Sequence, residues 1–386
     1  MYSWYNTGRL MKDSQKTMVE GVSDRGRSCT RRGFLGGMTA AALTGFGGTG
    51  KRNGLIWADL LHFGTNMWGD DGLTPGVHSY SHKAGAKADP IKNRLSFDEG
   101  VWRRITAKLA ASGGNMVVVD VADAVRCPSC PEIAVEDAWT PERLNAEVRR
   151  LKAMGLEPIP KLNFATTHDN WLKIYHRMVG TPKYYKVCAG IIKDVAEIFE
   201  KPRFFHIGMD EEDYDQAKIL KSGLGIFRRG GIWWHDIKFY ADCISAAGAR
   251  PWMFSDYIGD GKDRVEEYYK YCPKSIVQSV WYYKSGFDKA ADSDSADGNW
   301  YWKNRLKCFK LVADGGFDQI PCGSTFYAED NFPKLVEYAR RTISNESILG
   351  FLMAPWQFSV PGKCEADNLR ACEVLAAAKG KWGSAS

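Results

Sequence analysis

The chain has 386 residues, 44% of them hydrophobic and 13% aromatic, which is enough to bury one large core. Its formal charge of +6 comes from the N-terminus: residues 1–52 hold nine of the 52 Lys/Arg but only three of the 46 Asp/Glu, so the remaining chain carries 43 of each sign. A body without net charge or a Lys/Arg run excludes a nucleic-acid binder, which needs a basic face to neutralise phosphates.

In chain order, the first specific signal is Thr30-Arg31-Arg32-Gly33-Phe34-Leu35, followed by an uncharged, Ala/Gly-rich stretch from Gly36 to Phe46. This resembles the twin-arginine translocation signal, whose pattern is Ser/Thr-Arg-Arg-x-Phe-Leu. The resemblance implies export in the folded state, the twin-arginine translocase as a partner, and a periplasmic or extracellular destination. The apolar stretch is shorter than the roughly 20 residues of a permanent membrane span. Membrane attachment therefore follows only if the signal is retained as an anchor. We divide the chain into an extension with signal, 1–52, and one functional domain, 53–386.

Beyond residue 53, short β-branched or aromatic runs alternate with longer stretches of helical period, the pattern of parallel strands with crossover helices. Strands are expected at 56–64, 115–121, 157–164, 203–208, 250–254, 275–280, 319–325 and 349–355. The first helix opens on Ser96-Phe97-Asp98-Glu99, whose Ser and Glu are spaced as a capping box. The second opens on Thr140-Pro141-Glu142, with Pro at the favoured first helical position. Further helices are expected at 183–200, 234–247, 265–271, 303–313, 333–343 and 369–378. Eight strands and eight helices without a Pro/Gly/Ser linker predict an α/β fold, a single (β/α)8 TIM barrel. A doubly wound fold would need a Gly-rich phosphate loop after its first strand, and His62-Phe-Gly-Thr-Asn-Met-Trp68 is not one.

Of ten cysteines, Cys29 lies in the signal, leaving an odd number that cannot pair completely. Cys127-Pro128-Ser129-Cys130 is the one close pair. It reads first as a small loop disulfide, with half of a metal site or unpaired thiols as alternatives.

Barrel enzymes carry their reactive groups where strands end and the βα loops begin. Those positions hold Asn66 and Trp68, Asp120 and Asp123, Lys161 and Asn163, His206 with Asp210 and Glu211, Asp256 and Tyr257, Trp281 and Tyr282, Tyr327 and Glu329, and Trp356 with Gln357. Carboxylates beside flat aromatic faces suit a sugar, whose C–H faces stack on rings while its hydroxyls need polar partners. We take Asp120, Lys161, Asn163, His206, Asp256, Trp281, Tyr282, Tyr327, Glu329 and Trp356 as candidate substrate contacts. No cofactor is called for. Among seven histidines there is no His-x-His or His-Glu-x-x-His, and His78-Ser-Tyr-Ser-His82 reads as a loop, so no metal site is assigned. Nucleophilic serine catalysis lacks its Gly-x-Ser-x-Gly turn.

The sharpest element is Phe205-His206-Ile207-Gly208-Met209-Asp210-Glu211-Glu212, at the end of the fourth strand. It resembles the His-x-Gly-Gly-Asp-Glu motif of glycoside hydrolase family 20, the β-N-acetylhexosaminidases. The resemblance implies a glycoside hydrolase using substrate-assisted catalysis with retention. Glu211 would be the general acid/base and Asp210 its partner, orienting the acetamido group that attacks the anomeric carbon. The sequence departs from the family where Met209 replaces the second Gly, where the first strand lacks the sugar-binding Arg, and where Trp-x-Glu of the eighth strand reads Trp356-Gln357-Phe358. These departures bear on the N-acetylhexosamine preference rather than on the fold.

Two other readings stay open. Glu211 as acid/base with Glu329 as nucleophile would make an ordinary retaining pair, its carboxyls about 5–5.5 Å apart. A glycan-binding barrel without catalysis would keep the aromatics and use the acids only to hold hydroxyls. Apart from any sugar reading, Asp210-Glu211-Glu212 also reads as no more than the solvated, dipole-favoured start of a helix.

Overall fold

Alternation along strand β1, Ile56–His62, sends Ile56, Ala58 and Leu60 to one packed face and Trp57 and Leu61 to the other, and all seven residues of the strand are buried. A strand buried on both faces belongs to a parallel sheet covered on both sides. The computed structural model describes residues 54–68, 91–212, 228–259, 262–287 and 300–384. The twin-arginine segment around Arg31 and Arg32 and the His78 to His82 cluster lie outside them.

The remaining strands are β2 Met116–Asp120, β3 Glu157–Lys161, β4 Phe204–His206, β5 Arg250–Phe254, β6 Val277–Ser279, β7 Cys322–Gly323 and β8 Gly350–Met353. All pair in parallel, in the order β6-β5-β4-β3-β2-β1-β8-β7. The two edges meet through backbone bonds from Ile320 N to Gln278 O (2.9 Å) and from Cys322 N to Val280 O (2.8 Å). A (β/α)8 barrel results. A helix follows each strand: α1 Glu99–Ala111, α2 Pro141–Ala153, α3 Pro182–Ile198, α4 Gly231–Ala246, α5 Lys262–Tyr271, α6 Trp300–Asp314, α7 Asn331–Thr342 and α8 Lys363–Ser384. Among the described residues no helix is long and apolar enough to cross a membrane.

Two hydrophobic cores follow from the alternation. The lumen is filled by Ile56, Ala58, Leu60, Met116, Val118, Ile159, Phe204 and Trp252, among others. Trp57, Leu61, Val117, Val119, Phe205 and Met253 fill the layer between sheet and helices. The register sets His62 opposite Asp120, Asp120 opposite Lys161, and Lys161 opposite His206. One polar row therefore crosses four strands at their C-terminal ends, just above the apolar lumen.

Local chemistry departs from the sequence reading in four places. Helix α1 is capped by Asp98, which accepts from Val101 N at 2.8 Å. Ser96 instead accepts from Lys92 Nζ (3.0 Å), and Glu99 turns to Arg103 and Arg143, so no capping box forms. Thr140 caps α2 as expected, accepting from Arg143 N at 3.2 Å. Strand β7 shrinks to two residues: Pro321, inside the expected run, has no N–H for the ladder, and Ser324 N donates to Asn331 Oδ1 at 2.9 Å instead. Helix α8 starts at Lys363, ahead of the expected 369. Cys127 and Cys130 are free thiols rather than a disulfide. Cys130 Sγ donates to Glu132 Oε1 at 3.2 Å, and burial pushes both thiols above the usual range, Cys130 to about 11.

Candidate active site

The segment after β4 is bent into a shape that few residue types adopt. Gly208 has φ +68°, and a Cβ there would lie 2.0 Å from Asn163 Oδ1, so only Gly fits. Met209 and Glu211 also sit in the left-handed region, at φ 70° and 57°, where non-glycine residues are uncommon. Ala122 after β2 (φ 43°) and Trp356 after β8 (φ 54°) share this strain. Such outliers persist only where their surroundings hold them, and they concentrate at functional sites.

The holding groups can be named. Asn163 Oδ1 accepts from Met209 N and Ala165 N, each at 3.1 Å, while its Nδ2 donates to Asp210 Oδ1 at 2.7 Å. Asp256, after β5, accepts from Glu211 N at 2.7 Å and lies 3.4 Å from the Arg305 guanidinium. Thr167 Oγ1 donates to Glu211 O at 3.1 Å. As a result Asp210 and Glu211 face His168 of the β3 loop: His168 Nε2 is 3.5 Å from Asp210 Oδ2 and 3.4 Å from Glu211 Oε2. All three side chains are buried. Burial opposes protonation of His168, but the two carboxylates outweigh it and hold its pKa above the ordinary histidine value. Donor atoms of the three residues lie within 4.8 Å of one another, a set that could also meet a divalent cation.

The polar row lies beneath this cluster. Lys161 Nζ donates to Asp120 Oδ2 at 2.5 Å, and His62 Nδ1 is 3.4 Å from the same oxygen. Burial pushes the Asp120 carboxyl up, yet the Lys161 ammonium and His62 more than offset that and keep it below the usual range. Burial, reinforced by the Lys161 charge, depresses His206 well below an ordinary histidine, so it is neutral at physiological pH. Gly208 N donates to its Nδ1 at 3.0 Å, which assigns the proton to Nε2. Asp120, Lys161 and His206 are thus sealed under the cluster, 0–1% exposed, with Asp120 and Lys161 bonded to each other.

The wall on the β6 to β8 side is aromatic. Trp281 stacks on Tyr283 (centroids 5.1 Å, 21°), Tyr283 meets Trp356 at 6.2 Å, and Trp281 meets Trp302 edge-on at 6.1 Å. Trp302 in turn meets Tyr327 at 5.9 Å, and Tyr327 is 54% exposed at the rim. Burial raises the phenols of Tyr283 and Tyr327; Asp210 adds to the first, after Cys322, and Glu211 adds to the second. The wall therefore faces the acid pair.

Two candidates are placed elsewhere. Tyr282 turns into the sheet–helix layer, its hydroxyl donating to Gly286 O at 2.6 Å, and its neighbour Tyr283 takes the inward position. Strand alternation demands that exchange. Glu329 is more than half exposed and ion-paired with Arg370 of α8, and it is not one of the carboxylates that meet His168. His168, Tyr283 and Trp302 escaped the sequence reading. His168 lies inside the loop after β3 rather than at the strand end, and the parity of β6 was the signal that separates Tyr283 from Tyr282.

No known family model matches the sequence, and no curated protein matches it. Solved structures do match. One is a module of the tandem GH20 catalytic modules of the pneumococcal exo-β-D-N-acetylglucosaminidase, 14% identical, covering 84% of this chain and 85% of that one with a TM-score of 0.52. Another is the β-N-acetylhexosaminidase of Bacteroides fragilis, 13% identical over 83% of this chain, TM-score 0.50. A third is the GH20 β-N-acetylhexosaminidase of Streptomyces coelicolor, 12% identical over 83% of this chain, TM-score 0.50. The chain spans 65% of the Bacteroides structure and 64% of the Streptomyces structure. At these identities the likeness is one of fold.

Proposed function

We propose that this barrel is a glycoside hydrolase that releases a β-linked N-acetylhexosamine with retention. The observation that carries the reading is the buried trio Asp210, Glu211 and His168, set against an aromatic wall at the C-terminal face of the barrel. Glu211, protonated, donates its proton to the glycosidic oxygen as the bond from that oxygen to the anomeric carbon breaks. The acetamido carbonyl oxygen of the same sugar bonds to the anomeric carbon from the opposite face, giving a cyclic oxazolinium ion. Asp210 orients the acetamido group and balances the charge that develops on it. Glu211, now a carboxylate, takes a proton from water as the water oxygen attacks the anomeric carbon and reopens the ring. Two inversions leave the configuration retained. Trp356 and Tyr327, the more exposed members of the wall, offer faces to the ring, and Trp281 and Tyr283, stacked on each other, back them.

A panel of aryl β-glycosides with and without a 2-acetamido group, assayed on the full chain, tests this reading. Hydrolysis confined to 2-acetamido sugars is the expected result. Equal rates on plain glycosides would point to an enzymic nucleophile instead, and saturable binding without hydrolysis to a glycan-binding barrel.

A further inference from the structure

Glu212, third in the acidic run, accepts four hydrogen bonds through its carboxylate and has no part in the chemistry above. Both it and Arg228 are almost fully buried, 3% and 1% exposed. Glu212 Oε1 accepts from Arg228 N (2.9 Å) and Nε (2.7 Å), and Oε2 accepts from Thr166 N (2.9 Å) and Arg228 Nη2 (3.0 Å). Arg228 also reaches Phe164 O (2.5 Å), Asp236 Oδ2 (2.9 Å) and Tyr240 OH (3.0 Å). A buried ion pair is weak evidence for stability, since the cost of desolvation rivals its attraction; its best-supported use is to specify one arrangement. The arrangement specified here joins two loops. Thr166 lies two residues before His168, and Glu212 follows Glu211 directly. Thr166 Oγ1 returns a bond to Glu212 O at 3.4 Å, beside the one from Thr167 Oγ1 to Glu211 O.

We propose that Glu212 is a positioning residue. Its carboxylate, which accepts from the Thr166 amide through Oε2 and from Arg228 through both oxygens, locks the β3 loop carrying His168 against the β4 loop carrying Asp210 and Glu211. The inference rests on Glu211 being the acid/base, and it explains how a strained residue is kept within 3.4 Å of His168. An amide at position 212 cannot replace the carboxylate. Whichever position its one oxygen takes, its NH2 would face N–H donors: Arg228 N and Nε at the Oε1 position, or Thr166 N and Arg228 Nη2 at the Oε2 position.

The test is Glu212→Gln in the full chain, with melting temperature, kinetics on a 2-acetamido aryl glycoside and the His168 imidazole titration by NMR. A loop released by even a small displacement predicts a fall in kcat of roughly 10²-fold with KM little changed. It also predicts that the His168 midpoint falls toward the ordinary histidine value as His168 leaves the carboxylates. Asp236→Asn, which removes the negative charge facing Arg228 without touching Thr166 or Glu212, should lower stability and leave kcat and the His168 midpoint at wild-type values. If Glu212→Gln does not fold, Arg228→Lys, which keeps the charge and loses the fork, should show the same loss of kcat. The inference is overturned if Glu212→Gln melts lower yet keeps wild-type kcat and His168 midpoint, or if Asp236→Asn reproduces both changes. An inactive wild-type chain would end the hydrolase reading, and the His168 midpoint would still decide on the lock.

Discussion

Glu211 occupies a backbone conformation that costs of order 1–3 kcal/mol for a residue with a side chain. Asp256, Thr167 and Asn163 offset that cost through bonds to Glu211 or its neighbours, so the strain has a local cause and a local compensation. Glu329 is held quite differently. Its pair with Arg370 is exposed, and exposed pairs contribute about 0–1 kcal/mol. Glu329→Gln is therefore expected to keep both turnover and melting temperature, as kinetics and calorimetry would show; a collapse in turnover would revive the covalent reading. Asp210 and Glu211 were legible in the sequence because they form one contiguous motif after a strand. His168 was not, because it reaches them only through the folding back of the β3 loop, and no linear spacing encodes that approach.

Elements were read well where period and burial agreed. β1 and β2 are buried along their whole length and β3 along all but its first residue, and the expected spans contain them. The misses lie where one residue's hydrogen-bonding capacity overrides the period, as Pro321 does in β7 and Asp98 does at α1. The two cap candidates of α1 can be told apart directly. Asp98→Ala should cost about 1 kcal/mol because the Val101 amide loses its acceptor. Ser96→Ala should cost only a few tenths, as for a surface change away from such features. Urea unfolding of the two variants measures the difference, and the reverse order would restore the capping box.

At the scale of the whole molecule, the charge asymmetry and the barrel imply different things. The barrel carries the site, and the N-terminal Arg31-Arg32 pair carries the proposal of export. Replacing both arginines by lysine is expected to leave the protein in the cytoplasm, since the translocase reads a guanidinium pair and lysine lacks the planar fork. Cell fractionation checks this, and continued export of the double variant would remove the proposal. The central claim concerns the proton on Glu211, and it is tested most directly with an N-acetylhexosaminide whose leaving group is an unactivated alcohol. Such an alkoxide departs only if protonated, so the full contribution of the acid is exposed. The measurement is kcat of Glu211→Gln relative to wild type on that substrate. The account predicts a loss of roughly 10²–10⁴-fold with binding retained. Wild-type turnover by Glu211→Gln would contradict it and reduce the acids after β4 to structural groups.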